Sequence, residues 1–416
     1  MARFPCTLSR VQYAGWNAFR LANGIVQLYV VPELGGRIIQ LRFGSHEFFY
    51  VNARHRGRVY LPEENCLGAG WKDYGGSKVW PAPQGWDSDN LWPGPPDPVL
   101  DGGSYSSRIE EGSESAAVYL ESPPDEYTGL TFSREIRLFE NSSIVRIVHQ
   151  MRNTSLRPVR WAIWQVTQQA AHHPLIIFAP AKRYRQVFGD EPFDHIEVDA
   201  ARGFWKLEYR NQVAKFAVEA EHGWLIALRP EAQVAMVERF PLFPSLPYPD
   251  GAPLEIWVNG SGTFTIHNDR IRMGNSPDSC DPFIETEILS PFADLDPGQQ
   301  YTFPVTWQWT VVSGQAVTGV NSCALVSHPL AVKPEGGHFR IIGVFGLFQC
   351  GSLEVVTLDR SGRSLATKAF GDFTPLELCR VDQVVRNQPD LGRVSIRLRA
   401  AAGGLLGTVA EASFSP

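Results

Sequence analysis

Short runs of apolar and alternating residues dominate the first three quarters of the chain, and turn-forming residues separate most of them. Examples are Ile25–Val31, Arg37–Phe43, Leu130–Phe139, Arg160–Thr167 and Phe283–Leu289, which are rich in β-branched and aromatic residues. Runs of this kind, bounded by Pro, Gly, Asn or Asp at regular spacing, predict the strands of a sandwich or barrel. No amphipathic helix longer than two turns is indicated, so the pattern predicts an all-β fold.

The segment from Leu61 to Tyr105 interrupts this rhythm. It contains Trp71, Trp80, Trp86 and Trp92 together with many prolines and glycines. Because disordered segments are poor in aromatic residues, this composition predicts a folded, functional loop. A loop that only covers one end of the sandwich, with the tryptophans as its core, is the alternative. The sequence leaves both interpretations open.

A change in composition near residues 313–333 indicates a domain boundary. All 12 tryptophans lie at or before Trp309, and new strand-like runs, such as HFRIIGVFGLF and VSIRLRA, begin at His338. The length of the chain also favours two domains. We therefore predict a large β-sandwich over residues 1–315 and a small C-terminal β-sandwich accessory domain over residues 330–416.

Charge and composition exclude several classes of partner. The chain has 38 Lys and Arg against 44 Asp and Glu, and it has no long basic run, so a nucleic-acid partner is not expected. No apolar stretch approaches the ~20 residues of a membrane span, and the N-terminus lacks the pattern of a signal peptide, which together predict a cytoplasmic protein. The six cysteines form no metal-binding spacing. We predict neither a metal nor a cofactor.

Two acidic residues stand inside an apolar strand near the end of the first domain. Glu285 and Glu287 are two positions apart within Phe283–Leu289, so their side chains share one face of the strand. Their backbones are roughly 6.6 Å apart, since a strand rises ~3.3 Å per residue. If that face lines a cleft, at least one carboxylate is a candidate general base. If the face meets water, both are ordinary surface charges.

The tryptophan-rich segment also supplies polar groups that suit a sugar. Its sequence GGSKVWPAPQGW contains Lys78, Trp80 and Gln84. Sugars present C–H faces that pack on aromatic rings, and their hydroxyls bond to charged and amide groups. These three residues are therefore candidates for contact with a carbohydrate.

Three further candidates lie at strand positions. Arg37 begins a strand directly after two glycines, where it can contact a ligand or form a charge at the rim. Trp164 and Gln165 lie on opposite faces of the strand Arg160–Thr167. Gln165 has apolar neighbours and needs a hydrogen-bond partner if it is buried. It is either a ligand contact or a core amide bonded to the backbone.

Several segments resemble the galactose-mutarotase-like superfamily, to which the aldose 1-epimerases belong. They are VVPELGGRIIQLRFGSHEFFYVN, the Asn153-Thr154-Ser155 step and FIETEILSPFADLDPGQQYTF. The segments GGSKVWPAPQGW, PPDPVLDGG and ETEILSP are similar to the DUF4380 family of mutarotase-like proteins. The resemblance covers roughly residues 20–312. It implies a galactose-mutarotase-like β-supersandwich that binds a sugar or oligosaccharide, with Glu285 at the position of the family's general base.

The chain departs from the aldose 1-epimerases at the catalytic acid. Those enzymes have a His after the N-T-G step, whereas the matching strand here, WAIWQVTQ, has none. Mutarotation needs a proton on the ring oxygen while another leaves the anomeric hydroxyl. Lys78, or His172 and His173, are the candidate donors. We assign catalysis to Glu285 and Lys78, and sugar binding to Arg37, Trp80, Gln84, Trp164, Gln165 and Glu287.

Three functions follow from these assignments. The first is an epimerase-like isomerase that acts at the anomeric centre of a sugar. The alternative is a non-catalytic carbohydrate-binding protein with the same fold. The third is a glycoside hydrolase with Glu285 and Glu287 as its carboxylates. Side chains on one strand face rarely flank a glycosidic bond from both sides, which disfavours this third function.

Overall fold

The computed structural model describes residues 3–66, 69–85, 87–88, 90–266, 269–274, 281–388 and 390–414. Within these ranges the chain forms 32 β-strands, and the helical segments are three short 3₁₀ helices at Ala53–His55, Pro62–Glu64 and Pro249–Gly251. The prediction of an all-β fold is confirmed.

Twenty-four strands lie before residue 312. The first eleven are β1 (Thr7–Tyr13), β2 (Trp16–Ala22), β3 (Val26–Val31), β4 (Arg37–Phe43), β5 (His46–Glu47), β6 (Ser77–Ala82), β7 (Ser106–Glu110), β8 (Ser115–Glu121), β9 (Leu130–Phe139), β10 (Val145–Asn153) and β11 (Val159–Ala170). The next thirteen are β12 (Ile176–Ala179), β13 (Ala181–Phe188), β14 (Ile196–Asp199), β15 (Phe204–Glu208), β16 (Ala214–Ala220), β17 (Trp224–Arg229), β18 (Val234–Arg239), β19 (Leu254–Asn259), β20 (Gly262–Ile266), β21 (Asp269–Met273), β22 (Phe283–Leu289), β23 (Ala293–Leu295) and β24 (Gln300–Val311).

These strands form two large antiparallel sheets and a separate hairpin. Sheet I has twelve strands in the order β1-β2-β3-β4-β6-β11-β22-β19-β16-β13, with β5 paired to β4 and β23 paired to β11. Sheet II has ten strands in the order β14-β15-β12-β17-β18-β24-β10-β9-β8-β7, and β20 pairs with β21 in the hairpin. The apolar residues between the two sheets, such as Val79, Ile163, Met236 and Trp309, are fully or almost fully buried. The sheets therefore pack as a sandwich around one core.

The remaining strands form a second, smaller sandwich. They are β25 (Gly319–Val320), β26 (Ala324–Glu335), β27 (His338–Leu347), β28 (Gly351–Asp359), β29 (Ser364–Phe373), β30 (Leu378–Arg386), β31 (Leu391–Arg399) and β32 (Leu405–Ser413). Two four-stranded sheets, β25-β26-β27-β30 and β29-β28-β31-β32, enclose a separate core. A third apolar cluster, which includes Ile226, Val237, Leu325 and Phe348, joins this unit to sheet II. The first strand of this smaller sandwich, β25, starts at Gly319.

The tryptophan-rich segment contains a strand that the sequence did not predict. β6 (Ser77–Ala82) lies between β4 and β11 in the middle of sheet I. Two glycines fix its start: Gly75 and Gly76 have φ of +92° and +74°. A Cβ at these positions would lie 2.2 Å from the Tyr50 carbonyl oxygen and 2.5 Å from that of Ile38. Only glycine combines this backbone conformation with such a close approach. These two glycines therefore fix the position at which β6 begins in sheet I.

The described part of the chain contains no helix that is long and apolar enough to cross a membrane.

Candidate functional site

The two acidic residues of β22 lie in the middle of sheet I and on its outer face. Antiparallel pairing sets Glu285 opposite Gln168 of β11 and Trp257 of β19. Since directly paired residues share a face, the same register brings other ionisable side chains to this side. We call this side the polar face of sheet I. Its polar members are Lys78, Gln168, Lys215, Glu255, Glu285 and Glu287.

Glu285 is held by an ammonium and an amide. The Lys78 ammonium donates to Oε1 of Glu285 at 3.1 Å, and Nε2 of Gln168 donates to the same oxygen at 2.9 Å. Nε2 of Gln168 also donates to Oδ2 of Asp73 at 3.0 Å, and the Lys78 ammonium lies 4.0 Å from Oδ1 of Asp73. The Glu285 side chain is 11% exposed, whereas that of Glu287 is 1% exposed. Glu285 is therefore the carboxylate of β22 that a ligand can reach.

Two indole rings contact the Lys78 ammonium. It lies 4.9 Å from the ring centre of Trp71 and 4.4 Å from that of Trp80, both within the range of a cation–π contact. The Trp80 ring also packs against Trp92 and Trp164, each at a centroid distance of 5.3 Å. Trp71 is 36% exposed, so one aromatic face beside the Lys78–Glu285 pair is open to solvent. The tryptophan-rich segment both covers sheet I and contributes to the site.

Arg37 contacts the tryptophans indirectly, through Asp101. Its guanidinium forms a fully buried ion pair with Asp101 and donates to the Gly75 carbonyl at 3.1 Å. The two carboxylate oxygens of Asp101 accept from the indole N–H groups of Trp71, at 2.9 Å, and Trp80, at 3.1 Å. Arg37 is therefore neither at the rim nor accessible to a sugar, because it is fully buried and its two terminal nitrogens donate to Asp101 and to the backbone. It orients the tryptophans.

Glu287 belongs to a second, more deeply buried ionic cluster. Oε2 of Glu287 accepts from the Trp164 indole at 2.8 Å and lies 3.2 Å from the Lys215 ammonium, which lies 2.6 Å from Oε2 of Glu255. Burial raises the pKa of Glu287 and of Glu255, against the opposing effect of Lys215. Burial alone would lower the pKa of Lys215, but the two carboxylates outweigh it and the net pKa is raised. Lys215 therefore remains an ammonium.

On the polar face, the two lysines approach β22 from strands on its two flanks. Lys78 lies on β6, two strands from β22 across β11, and Lys215 lies on β16, two strands from β22 across β19. Each lysine binds one of the two glutamates. The accessible carboxylate and the buried one are therefore held by different lysines.

Gln165 lies on the opposite face of sheet I, in the core of the sandwich. Its Oε1 is 2.8 Å from Nε2 of His149, and its Nε2 donates to Oε2 of Glu238 at 3.0 Å. Thr286 donates to the other oxygen of Glu238 at 2.6 Å. The strand period of two explains the placement, since Gln165 must face away from Trp164. Of the two interpretations of this residue, the structure has the core amide, bonded to side chains rather than to the backbone.

The buried Glu238 predicts a pH-dependent stability. Burial raises the pKa of Glu238 from 4.5 to about 7, so the folded protein retains a proton that the unfolded chain loses. The free energy of unfolding should therefore fall as pH rises from about 4.5 to about 7, by about 3 kcal/mol in total from this group. We expect Glu238→Gln to remove most of that fall in urea unfolding at pH 5 and pH 8. An unchanged difference between the two pH values would contradict this explanation.

Three other residues that the sequence suggested, Gln84, His172 and His173, make no contact with the polar face of sheet I in the described part of the chain. Gln84 is exposed and follows the end of β6, where it pairs with Trp92 through the backbone. His172 and His173 are exposed and line a separate cavity, and neither contacts Glu285. Trp86 lies outside the described residues. The structure thus brings together Lys78, Trp80, Trp164, Glu285 and Glu287. Arg37 is linked to this group through Asp101, which also accepts from the Trp80 indole.

Sequence reasoning missed five members of the site. Gln168, Asp73 and Trp71 contact the Lys78–Glu285 pair, and Lys215 and Glu255 form the buried cluster. A partial signal exists for Lys215, whose strand Ala214–Ala220 is otherwise almost entirely apolar. Within the described ranges, no group of three His, Cys, Asp or Glu side chains is placed to hold a metal ion.

A family model matches residues 17–312, about seven tenths of the chain. The family is described as a domain of unknown function, DUF4380. The chain belongs to the DUF4380 family. The predicted membership is confirmed, and the match includes every polar-face residue but none of the C-terminal sandwich. No curated protein matches the chain.

Among solved structures, likenesses are distant. A TPR-domain containing protein from Parabacteroides distasonis is 13% identical with a TM-score of 0.48, and the match covers 77% of this chain and 56% of that one. Galactose mutarotase-like proteins from Clostridium acetobutylicum and Lactobacillus casei are each 10% identical with TM-scores of 0.45. They cover 74% and 70% of this chain, and 99% of their own lengths. This DUF4380 chain thus spans little more than half of the Parabacteroides protein.

Proposed function

We propose that the polar face of sheet I binds a sugar and that Glu285 and Lys78 transfer protons at its anomeric centre. The observation that carries this proposal is the contact of 3.1 Å between the Lys78 ammonium and the accessible Glu285 carboxylate. A carboxylate and an ammonium are a base and an acid at neutral pH. Their position matches the role that the sequence resemblance implies for Glu285.

The chemistry requires a base and an acid side by side. In a cyclic aldose the anomeric hydroxyl and the ring oxygen are bonded to the same carbon, so two adjacent protein groups can reach both. Glu285 takes the proton of the anomeric hydroxyl, Lys78 gives a proton to the ring oxygen, and the bond from the anomeric carbon to the ring oxygen breaks. The open aldehyde then recloses on its other face. The reverse transfers restore both groups, so no co-reactant is consumed.

The tryptophans make a sugar the favoured ligand. Trp71 and Trp80 both lie against the Lys78 ammonium, and the partly exposed Trp71 presents an aromatic face beside charged and amide donors. A sugar offers the matching surface, with C–H groups on its faces and hydroxyls on its rim. Lys78 replaces the histidine that the aldose 1-epimerases use as the acid.

A second candidate function is sugar binding without turnover. The observation that favours it is how firmly the pair is already held: Gln168 donates to Glu285, Asp73 lies beside Lys78, and the Lys78 side chain is only 1% exposed. A carboxylate stabilised in this way is a weaker base. The two functions share the ligand and differ in whether the anomeric proton moves.

Nuclear magnetic resonance on a panel of free aldoses and uronic acids separates these functions. We expect faster exchange between the anomers of at least one sugar in the presence of the protein. Saturation transfer to a sugar without faster exchange would support the binding protein instead. If no sugar in the panel shows either effect, the proposal of a carbohydrate site is wrong.

A further inference from the structure

A separate cavity lies at the ends of β11 and β17. Its volume is about 680 Å³, and it is lined from four chain segments that include Arg42, Arg56, His172, Arg229 and Glu231. None of its lining residues belongs to the polar-face contacts around Glu285. The cavity therefore requires its own explanation.

Positive charge exceeds negative charge in this cavity. Arg42 is neutralised by Glu47, and Glu231 lies 3.6 Å from His173. Arg56 and Arg229 form no ion pair with any residue of the described ranges. Two guanidinium groups in this cavity thus lack a counter-charge within the described ranges.

Of these two arginines, Arg229 is buried and Arg56 is exposed. The Arg229 side chain is almost fully buried, and its two terminal nitrogens donate to the backbone carbonyls of Ala170 and Phe48, while Nε has no partner among the described residues. Burial lowers the pKa of Arg229 to about 10. A buried charge without a counter-ion is costly, and an anion in the adjacent cavity would reduce that cost.

Arg134 provides an internal comparison. It too is buried, and it too donates only to backbone carbonyls, those of Gly36 and Ser77. Arg134 lies in the core of the sandwich, where the carbonyls are its only described partners. Arg229 instead lines an open cavity with a second unpaired arginine, Arg56, and His172. The combination of an unpaired buried cation and accessible space distinguishes Arg229.

We propose that this cavity is an anion-binding site for a small molecule with a phosphate or carboxylate group, held by Arg56, His172 and the electrostatic field of Arg229. Guanidinium groups suit both kinds of anion because their donors match pairs of oxygen atoms. The proposal is independent of the function proposed for the polar face, since the two sites share no contact residue.

Titration calorimetry with inorganic phosphate and with malonate, at an ionic strength held constant with sodium chloride, tests this site. We expect saturable binding of at least one anion to the wild-type protein. Arg56→Ala should weaken it about tenfold or more, because it removes a charged donor. His172→Ala should weaken it by a smaller factor, because burial, His173 and Arg229 lower the pKa of His172 and its imidazole donates as a neutral group. Arg146→Ala, which removes an exposed arginine of β10 outside the cavity lining, is the control and should leave binding unchanged.

The two anions distinguish the ligand source, since binding of phosphate alone indicates a phosphoryl group and binding of malonate alone a carboxylate. Arg229→Gln is a less direct test because it also removes two bonds to the backbone. The proposal is overturned if neither anion binds saturably, or if binding is unchanged in both Arg56→Ala and His172→Ala.

Discussion

Replacing Glu285 with glutamine is expected to lower the rate of anomer exchange by about 10²–10⁴-fold, the usual contribution of a positioned general base. Glutamine keeps the size of the side chain and an oxygen that accepts from Lys78, but it cannot take up a proton. Sugar binding should change only by the loss of one charged hydrogen bond, about 1.5–3 kcal/mol. Exchange spectroscopy gives the rate, and saturation transfer gives the binding.

Glu121→Gln is the matched control for this variant. Glu121 ends β8 in sheet II and is exposed, so the same chemical change there should leave the exchange rate unaltered. If Glu285→Gln exchanges anomers as fast as Glu121→Gln, then Glu285 is not the base. A loss of binding equal to the loss of rate would instead assign Glu285 to ligand contact alone.

Replacing Lys215 with methionine is expected to lower the free energy of unfolding by about 3–5 kcal/mol. The change leaves Glu255 and Glu287 buried side by side without their shared cation. One of them can take up a proton, which reduces the loss at low pH. Urea unfolding at pH 5 and pH 8 should therefore show a larger loss at the higher pH.

An exposed ion pair provides the control for Lys215. Lys182 lies 3.3 Å from Glu221, and both side chains are about half exposed. Since exposed ion pairs contribute at most about 1 kcal/mol, Lys182→Met should hardly change stability. Equal losses in Lys215→Met and Lys182→Met would show that the buried cluster does not depend on its lysine.

The strands and one part of the site could be predicted from sequence because they rest on local patterns. Arg37–Phe43, Leu130–Phe139 and Phe283–Leu289 have the predicted bounds, since alternation and bounding turns are encoded within each segment. The structure brings Glu285 and Lys78 into contact, while their assignment to catalysis stays a prediction. That assignment came from the family resemblance and from the need for an acid, and the pattern alone did not contain it.

The remainder of the site depends on register, which a single sequence does not contain. β6 was hidden because Pro81 and the flanking glycines resemble a loop, and its place in the sheet becomes visible only through its pairing with β11. Gln168 and Lys215 reach the site across neighbouring strands that are distant in the chain. Arg37 can be buried because it forms an ion pair with Asp101, which is 64 residues away in the chain.

The most direct test of the account is a double-mutant cycle on the exchange rate of a responsive sugar, with Glu285→Gln, Lys78→Met and the two changes combined. Groups that act as one unit have strongly non-additive effects. We therefore predict that each single variant loses most of the rate and that the double variant is scarcely slower. Independent, multiplying losses, or full activity in either single variant, would contradict the proposal that Glu285 and Lys78 transfer protons together.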